Sequence, residues 1–123
     1  MPETTSLKLG YADDWVLAHQ SKEWETLERV LTEDTTALKE YFDKWYLKMN
    51  TTKTVSSAFH LDNHQANRTL TVKAGDTALP SDKNPKYLGV TLDRCLNYKA
   101  HLEGCAQKVN KRNNLLKKVA RTN

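Results

Sequence analysis

A chain of 123 residues with 38% hydrophobic and 28% charged side chains has the make-up of one globular domain or part of one, which excludes a disordered tail or a fibrous repeat. No apolar run approaches the roughly 20 residues that span a bilayer, and residues 1–5 lack a signal-peptide pattern, so an intracellular setting is expected. The net charge of +4 is uneven: residues 1–62 carry 7 Lys and Arg against 11 Asp and Glu, and residues 63–123 carry 12 against 4. That asymmetry suits a cation site beside a track for a polyanion, and equally two solvated faces of opposite sign.

Residues 7–18 read as a β-hairpin. Leu7, Leu9 and Tyr11 alternate on the way in, Trp15 and Leu17 on the way out, and Asp13 and Asp14 fall at or beside the apex. Two carboxylates on such a tip can hold a hard divalent cation, or act as turn residues that bond their own backbone. Ser21 is the expected N-cap of a helix with Glu23 and Glu25 in its first turn. The recurrence of Trp24, Leu27, Leu31, Leu38, Phe42 and Trp45 predicts one amphipathic helix to about Leu47, packed on the hairpin's sheet. Thr32, Thr35 and Thr36 mark a weak point in it.

Residues 49–54 form a polar turn, 55–61 a strand and 62–67 a loop. Leu70, Val72 and Ala74 alternate in a further strand, and Gly75-Asp76 turns the chain toward Leu79. After a polar loop over 80–85, residues 87–92 make the most strand-like run of the second half. From Tyr98 the period is helical again. Leu102, Cys105 or Ala106, Val109, Leu115 or Leu116, and Val119 give an apolar stripe, while Lys108, Lys111, Arg112, Lys117, Lys118 and Arg121 occur with no acid among them. The class is α+β.

Other constellations are poor. His60 with His64 and His101 with Cys105 are four apart, but without a Cys-x-x-Cys neither pair makes a zinc site. Cys95 and Cys105 are expected reduced. Gly10, Gly75, Gly89 and Gly104 are too scattered for a phosphate loop, and no nucleophile–base set presents itself. The aspartate pair with a cation is the chemistry that remains.

Three runs then carry a resemblance. Tyr11-Ala12-Asp13-Asp14, then Trp45-x-Leu47-x-Met49-Asn50-x-x-Lys53-Thr54 with Phe59, then Lys86-Tyr87-Leu88-Gly89-Val90-x-Leu92-Asp93, resemble a reverse transcriptase. The long insertion between Phe59 and Tyr87, and Lys53-Thr54 in place of Lys-Cys, make it most similar to the jockey-like, LINE-type enzymes of non-LTR retrotransposons. The resemblance implies that residues 1–97 are the C-terminal part of a palm, built of antiparallel hairpins packed with an amphipathic helix. Residues 98–123 would begin the thumb with a basic helix.

The resemblance also implies roles. Asp13 and Asp14 would bind Mg²⁺, Asp13 as the principal ligand, for two-metal nucleotidyl transfer. Tyr11 and Ala12 would touch the primer end, and Lys53 would be a general acid at the leaving group. Tyr87, Leu88 and Gly89 would grip the primer strand, with Lys108, Lys111 and Arg112 along the duplex. The partners would be an RNA template, a DNA primer and a dNTP, with no membrane. Because the family's fingers and first palm aspartate lie upstream of the tetrad, the expectation is a fragment inactive by itself, completed only by an upstream polymerase segment or a partner. Two other readings stay open: a non-catalytic nucleic-acid-binding module using the basic half, and a relic exposing apolar residues such as Trp24, Leu31 and Trp45.

Overall fold

Alternating and helical periods resolve into β1 (Leu7–Tyr11), β2 (Asp14–Ala18), α1 (Trp24–Lys44), β3 (Lys73–Ala74), β4 (Thr77–Ala78), β5 (Lys86–Tyr87), β6 (Val90–Thr91) and α2 (Lys99–Ala120). The computed structural model describes residues 1–60 and 68–121. The α+β class holds, with three antiparallel strand pairs and two long helices among the described residues. They fall into two compact units. One is Met1–Ser56 with Thr69–Asp82, the other the described parts of Ser57–Arg68 and Lys83–Asn123.

The first unit is built on α1. Val30 and Leu38 on the helix are buried, as are Leu70, Val72, Ala74 and Leu79, so the expected alternation over 70–74 does put one face inward. Only Lys73–Ala74 pairs as a strand, with Thr77–Ala78 across a turn at Gly75, whose φ of 63° suits glycine. The Leu79 N–H continues the pairing to the Val72 carbonyl at 2.9 Å.

The threonines of α1 are not a weak point. Glu28 Oε1, Thr32 Oγ1 and Thr36 Oγ1 accept hydrogen bonds from the backbone N–H groups of Thr71, Lys73 and Gly75 at 3.0, 3.3 and 3.1 Å. Every fourth residue of a helix rises about 6 Å and every second residue of a strand about 6.6 Å, so the two rows stay in step. Thr35 is buried. Packing and these bonds outweigh the modest helix propensity of threonine.

Both ends of α1 differ from expectation. Glu23 occupies the N-cap without a side-chain bond, because Ser21 Oγ instead accepts from the Glu23 N–H at 3.2 Å. The helix stops at Lys44 rather than near Leu47. Tyr46, at φ 58°, turns the chain left-handed. The Leu47 N–H then reaches the Phe42 carbonyl at 2.8 Å and the Tyr46 N–H that of Asp43 at 3.1 Å, which is a Schellman cap with tyrosine where glycine is usual.

The strand expected over 55–61 is absent as far as Phe59 and His60. Ser56 makes one isolated parallel bridge to Ser81. Leu61, the 62–67 loop and His64 lie outside the described residues.

In the second unit, the single strand expected over 87–92 is a hairpin. Tyr87 pairs with Val90 across a two-residue turn, with Leu88 at φ 48° and Gly89 at φ 83°. Two positive φ values in succession give the primed turn that matches strand twist. Asp93 then sets the start of α2: its carboxylate accepts the N–H of Tyr98 at 2.7 Å and of Asn97 at 3.3 Å. The stripe of α2 is not buried. No residue of the helix is, and Leu102, Val109, Leu116 and Val119 all face solvent.

Candidate active site

β1 and β2 pair Leu7 with Ala18 through to Tyr11 with Asp14, which leaves Ala12 and Asp13 as a two-residue turn. Ala12 carries the left-handed φ of 51° that such a turn needs, an unfavourable conformation for alanine. Asp13 therefore stands in the turn and Asp14 opens β2, both exposed. The tip is as expected from the alternation.

Side-chain alternation sorts the hairpin's two faces. Trp15 and its cross-strand partner Gly10 lie on the side of α1, where the Trp15 ring meets Phe42 at 6.4 Å between centroids. Tyr11 and Asp14, one register step away, lie on the other side. Leu7 and Leu9 share that side and are exposed, so the apolar alternation on the way in does not mark a buried face.

A second anchor holds the base of the hairpin. Asp34 on α1 is 6% exposed, and its carboxylate accepts from the Thr5 N–H at 3.2 Å, the Ser6 N–H at 2.8 Å and the Ser6 hydroxyl. Burial pushes its pKa up, but the Ser6 and Thr5 hydrogen bonds, with the nearby His19, outweigh it and hold the carboxyl below its ordinary value. In the sequence Asp34 is one more polar residue of a helix. A buried strand entry with unpaired N–H groups was the signal for it, and that is visible only after folding.

The other residues named from the sequence belong to other elements. Lys53 is exposed in a turn ordered by Asn50, whose Oδ1 accepts the N–H groups of Thr52 and Lys53, each at 3.1 Å. No hydrogen bond or ion pair joins Lys53 to Asp13 or Asp14. Tyr87, Leu88 and Gly89 belong to the β5–β6 hairpin of the second unit, and Lys108, Lys111 and Arg112 to the exposed surface of α2.

Beside β6, His101 Nδ1 accepts the Thr91 N–H at 3.2 Å and Nε2 lies 3.6 Å from Cys105 Sγ. With Nδ1 engaged as an acceptor, Nε2 carries the proton in the neutral ring and is not free to ligate a metal.

Among the described residues no third His, Cys, Asp or Glu joins Asp13 and Asp14 in a metal-ligating group. Two carboxylates on an exposed turn suit a hard cation that takes its remaining ligands from water and phosphate, as Mg²⁺ does. No described helix is long and apolar enough to cross a membrane.

No family model and no solved structure matches the chain. It is 31% identical over 103 residues to a protein described as a probable RNA-directed DNA polymerase from transposon BS, of Drosophila melanogaster. The match takes in 84% of this chain and 11% of that protein. This likeness supports reading the chain as a piece of a reverse transcriptase.

Proposed function

We propose that the chain is a palm-and-thumb segment of an RNA-directed DNA polymerase of the non-LTR type, with the β1–β2 hairpin as its half of the nucleotidyl-transfer site. The observation that carries this reading is the match to the transposon polymerase over 84% of the chain, together with a turn that sets Asp13 and Asp14 side by side in solvent.

In this reading Asp13 and Asp14 hold Mg²⁺, which when bound supplies charge stabilisation for an in-line displacement at phosphorus. Their part is to fix the ion at the hairpin tip, and Trp15 and Asp34 hold that hairpin on α1. Tyr11 and Ala12 flank the aspartates where a primer end would lie, and Lys53 donates a proton to the departing pyrophosphate. Leu88 and Gly89 present a tight turn to the primer strand, and Lys108, Lys111 and Arg112 pair with phosphates of the template–primer duplex. This reading expects no primer extension by the 123-residue chain alone.

The test is a chimera in which this chain replaces the matching segment of the Drosophila polymerase. A chimera that extends a DNA primer on RNA, and loses that activity with Asp13→Asn or Asp14→Asn, supports the reading. Undiminished extension by both variants would contradict it. A non-catalytic nucleic-acid-binding module is the second reading, favoured by the exposure and positive charge of α2. It predicts duplex binding indifferent to Mg²⁺ and to Asp13→Ala.

A further inference from the structure

Just past α1 the surface changes character. Trp45 is 60% exposed and Tyr46 is 98% exposed, adjacent in sequence and held by the Schellman cap. Trp45 is braced on one side by Tyr41, 6.3 Å away between ring centroids. Tyr41 leans on Phe42 at 5.9 Å, and Phe42 on Trp15 at 6.4 Å, so a line of rings runs from the residue after Asp14 out to Trp45.

The sequence that leaves the helix is basic. Residues 44–60 contain Lys44, Lys48 and Lys53 and no acid, although they lie in the acidic half of the chain. The carboxylate just before them, Asp43, is already paired with Lys39 at 2.9 Å. Among the described residues none of the three lysines is in an ion pair.

We propose that Trp45 and Tyr46 form a platform on which unpaired bases of a single-stranded nucleic acid stack, with Lys44 and Lys48 taking its phosphates. Every nucleobase offers a flat π face, and an exposed aromatic flanked by cations is the surface that recognises such a face next to a charged backbone. A duplex hides its base faces in its own stack and cannot use the rings. An apolar protein partner gains nothing from two desolvated cations. The platform requires no metal.

The experiment titrates the full chain, in EDTA, with a short oligothymidylate and with an abasic oligomer of the same length, read by tryptophan fluorescence and anisotropy. The oligothymidylate is expected to quench the fluorescence and to bind about tenfold more tightly than the abasic oligomer. Trp45→Ala and Tyr46→Gly each reduce oligothymidylate affinity about tenfold and leave abasic binding unchanged. Trp45→Phe keeps the affinity and loses the quenching. Tyr46→Gly relieves a left-handed tyrosine, so its loss of binding cannot come from unfolding. Equal affinity for the two oligomers, or unaltered oligothymidylate binding in Trp45→Ala and Tyr46→Gly, overturns the platform. So does quenching by a blunt duplex as strong as by the single strand.

Discussion

The indole of Trp15 lies flat against the backbone of Gly10, its cross-strand partner, so closely that a Cβ at position 10 would sit 2.7 Å from the ring. The same ring meets Phe42 of α1 at 6.4 Å between centroids. Gly10 is thus the gap that lets Trp15 lock the aspartate hairpin to the helix. Gly10→Ala should drive the ring out and cost about 1–3 kcal/mol, as overpacking does. Urea unfolding measures the loss, and a changed Trp15 side-chain resonance identifies its source.

Asp34 gives the first unit an acid-sensitive tie. Its folded pKa lies below the ordinary value, so the stability it contributes is present above about pH 4 and is lost as the pH falls through the lower, folded value. Asp34→Asn should remove that acid limb from a plot of stability against pH. At neutral pH it should cost about 1.5–3 kcal/mol, the worth of hydrogen bonds to a charged acceptor.

Tyr46 pays for its role in the Schellman cap with a left-handed backbone. Tyr46→Gly should raise stability by about 1 kcal/mol, since glycine adopts that conformation without penalty. A lowered midpoint of unfolding would show that the tyrosine ring packs in a way its exposure denies.

The row of acceptors on α1 predicts local effects in hydrogen exchange. Thr32→Val should speed exchange at the Lys73 amide and Thr36→Val at the Gly75 amide, each leaving the other unchanged. The global cost of either should be small, about 0.5–1 kcal/mol, because water reaches this edge and replaces the lost bond.

Binding of duplex through α2 should fall steeply with salt. Neutralising Lys108, Lys111 and Arg112 one at a time should lower the salt slope by about one unit each, with similar losses across sequences. A slope that does not move in the triple variant would place the duplex elsewhere.

The hairpin was legible because its signals are local: period-two alternation into and out of a pair of turn residues fixes both register and apex. The inward face of residues 70–74 was legible for the same reason. What escaped depends on partners distant in sequence. Thr32 and Thr36 look like poor helix residues until a strand edge arrives to use their hydroxyls. Asp34 looks solvated until Thr5 and Ser6 present their N–H groups. The run 87–92 is rich enough in β-formers to resemble one strand, and the Leu88-Gly89 turn is signalled only by its glycine. The stripe of α2 was legible as a period, but its exposure was not, because amphipathicity states which side seeks cover and not whether anything covers it. At the site, the aspartate tip was readable, whereas the Gly10–Trp15–Phe42 contact that steadies it was not.

The central claim is that the β1–β2 tip holds a divalent cation through Asp13 and Asp14. Mn²⁺ in place of Mg²⁺ tests it on the chain as it stands, through paramagnetic broadening of amide resonances. The predicted result is broadening centred on residues 11–15 that disappears in Asp13→Asn with Asp14→Asn, while the rest of the spectrum is unchanged. Broadening spread over the glutamates of α1, or persisting at the tip in the double variant, would contradict it.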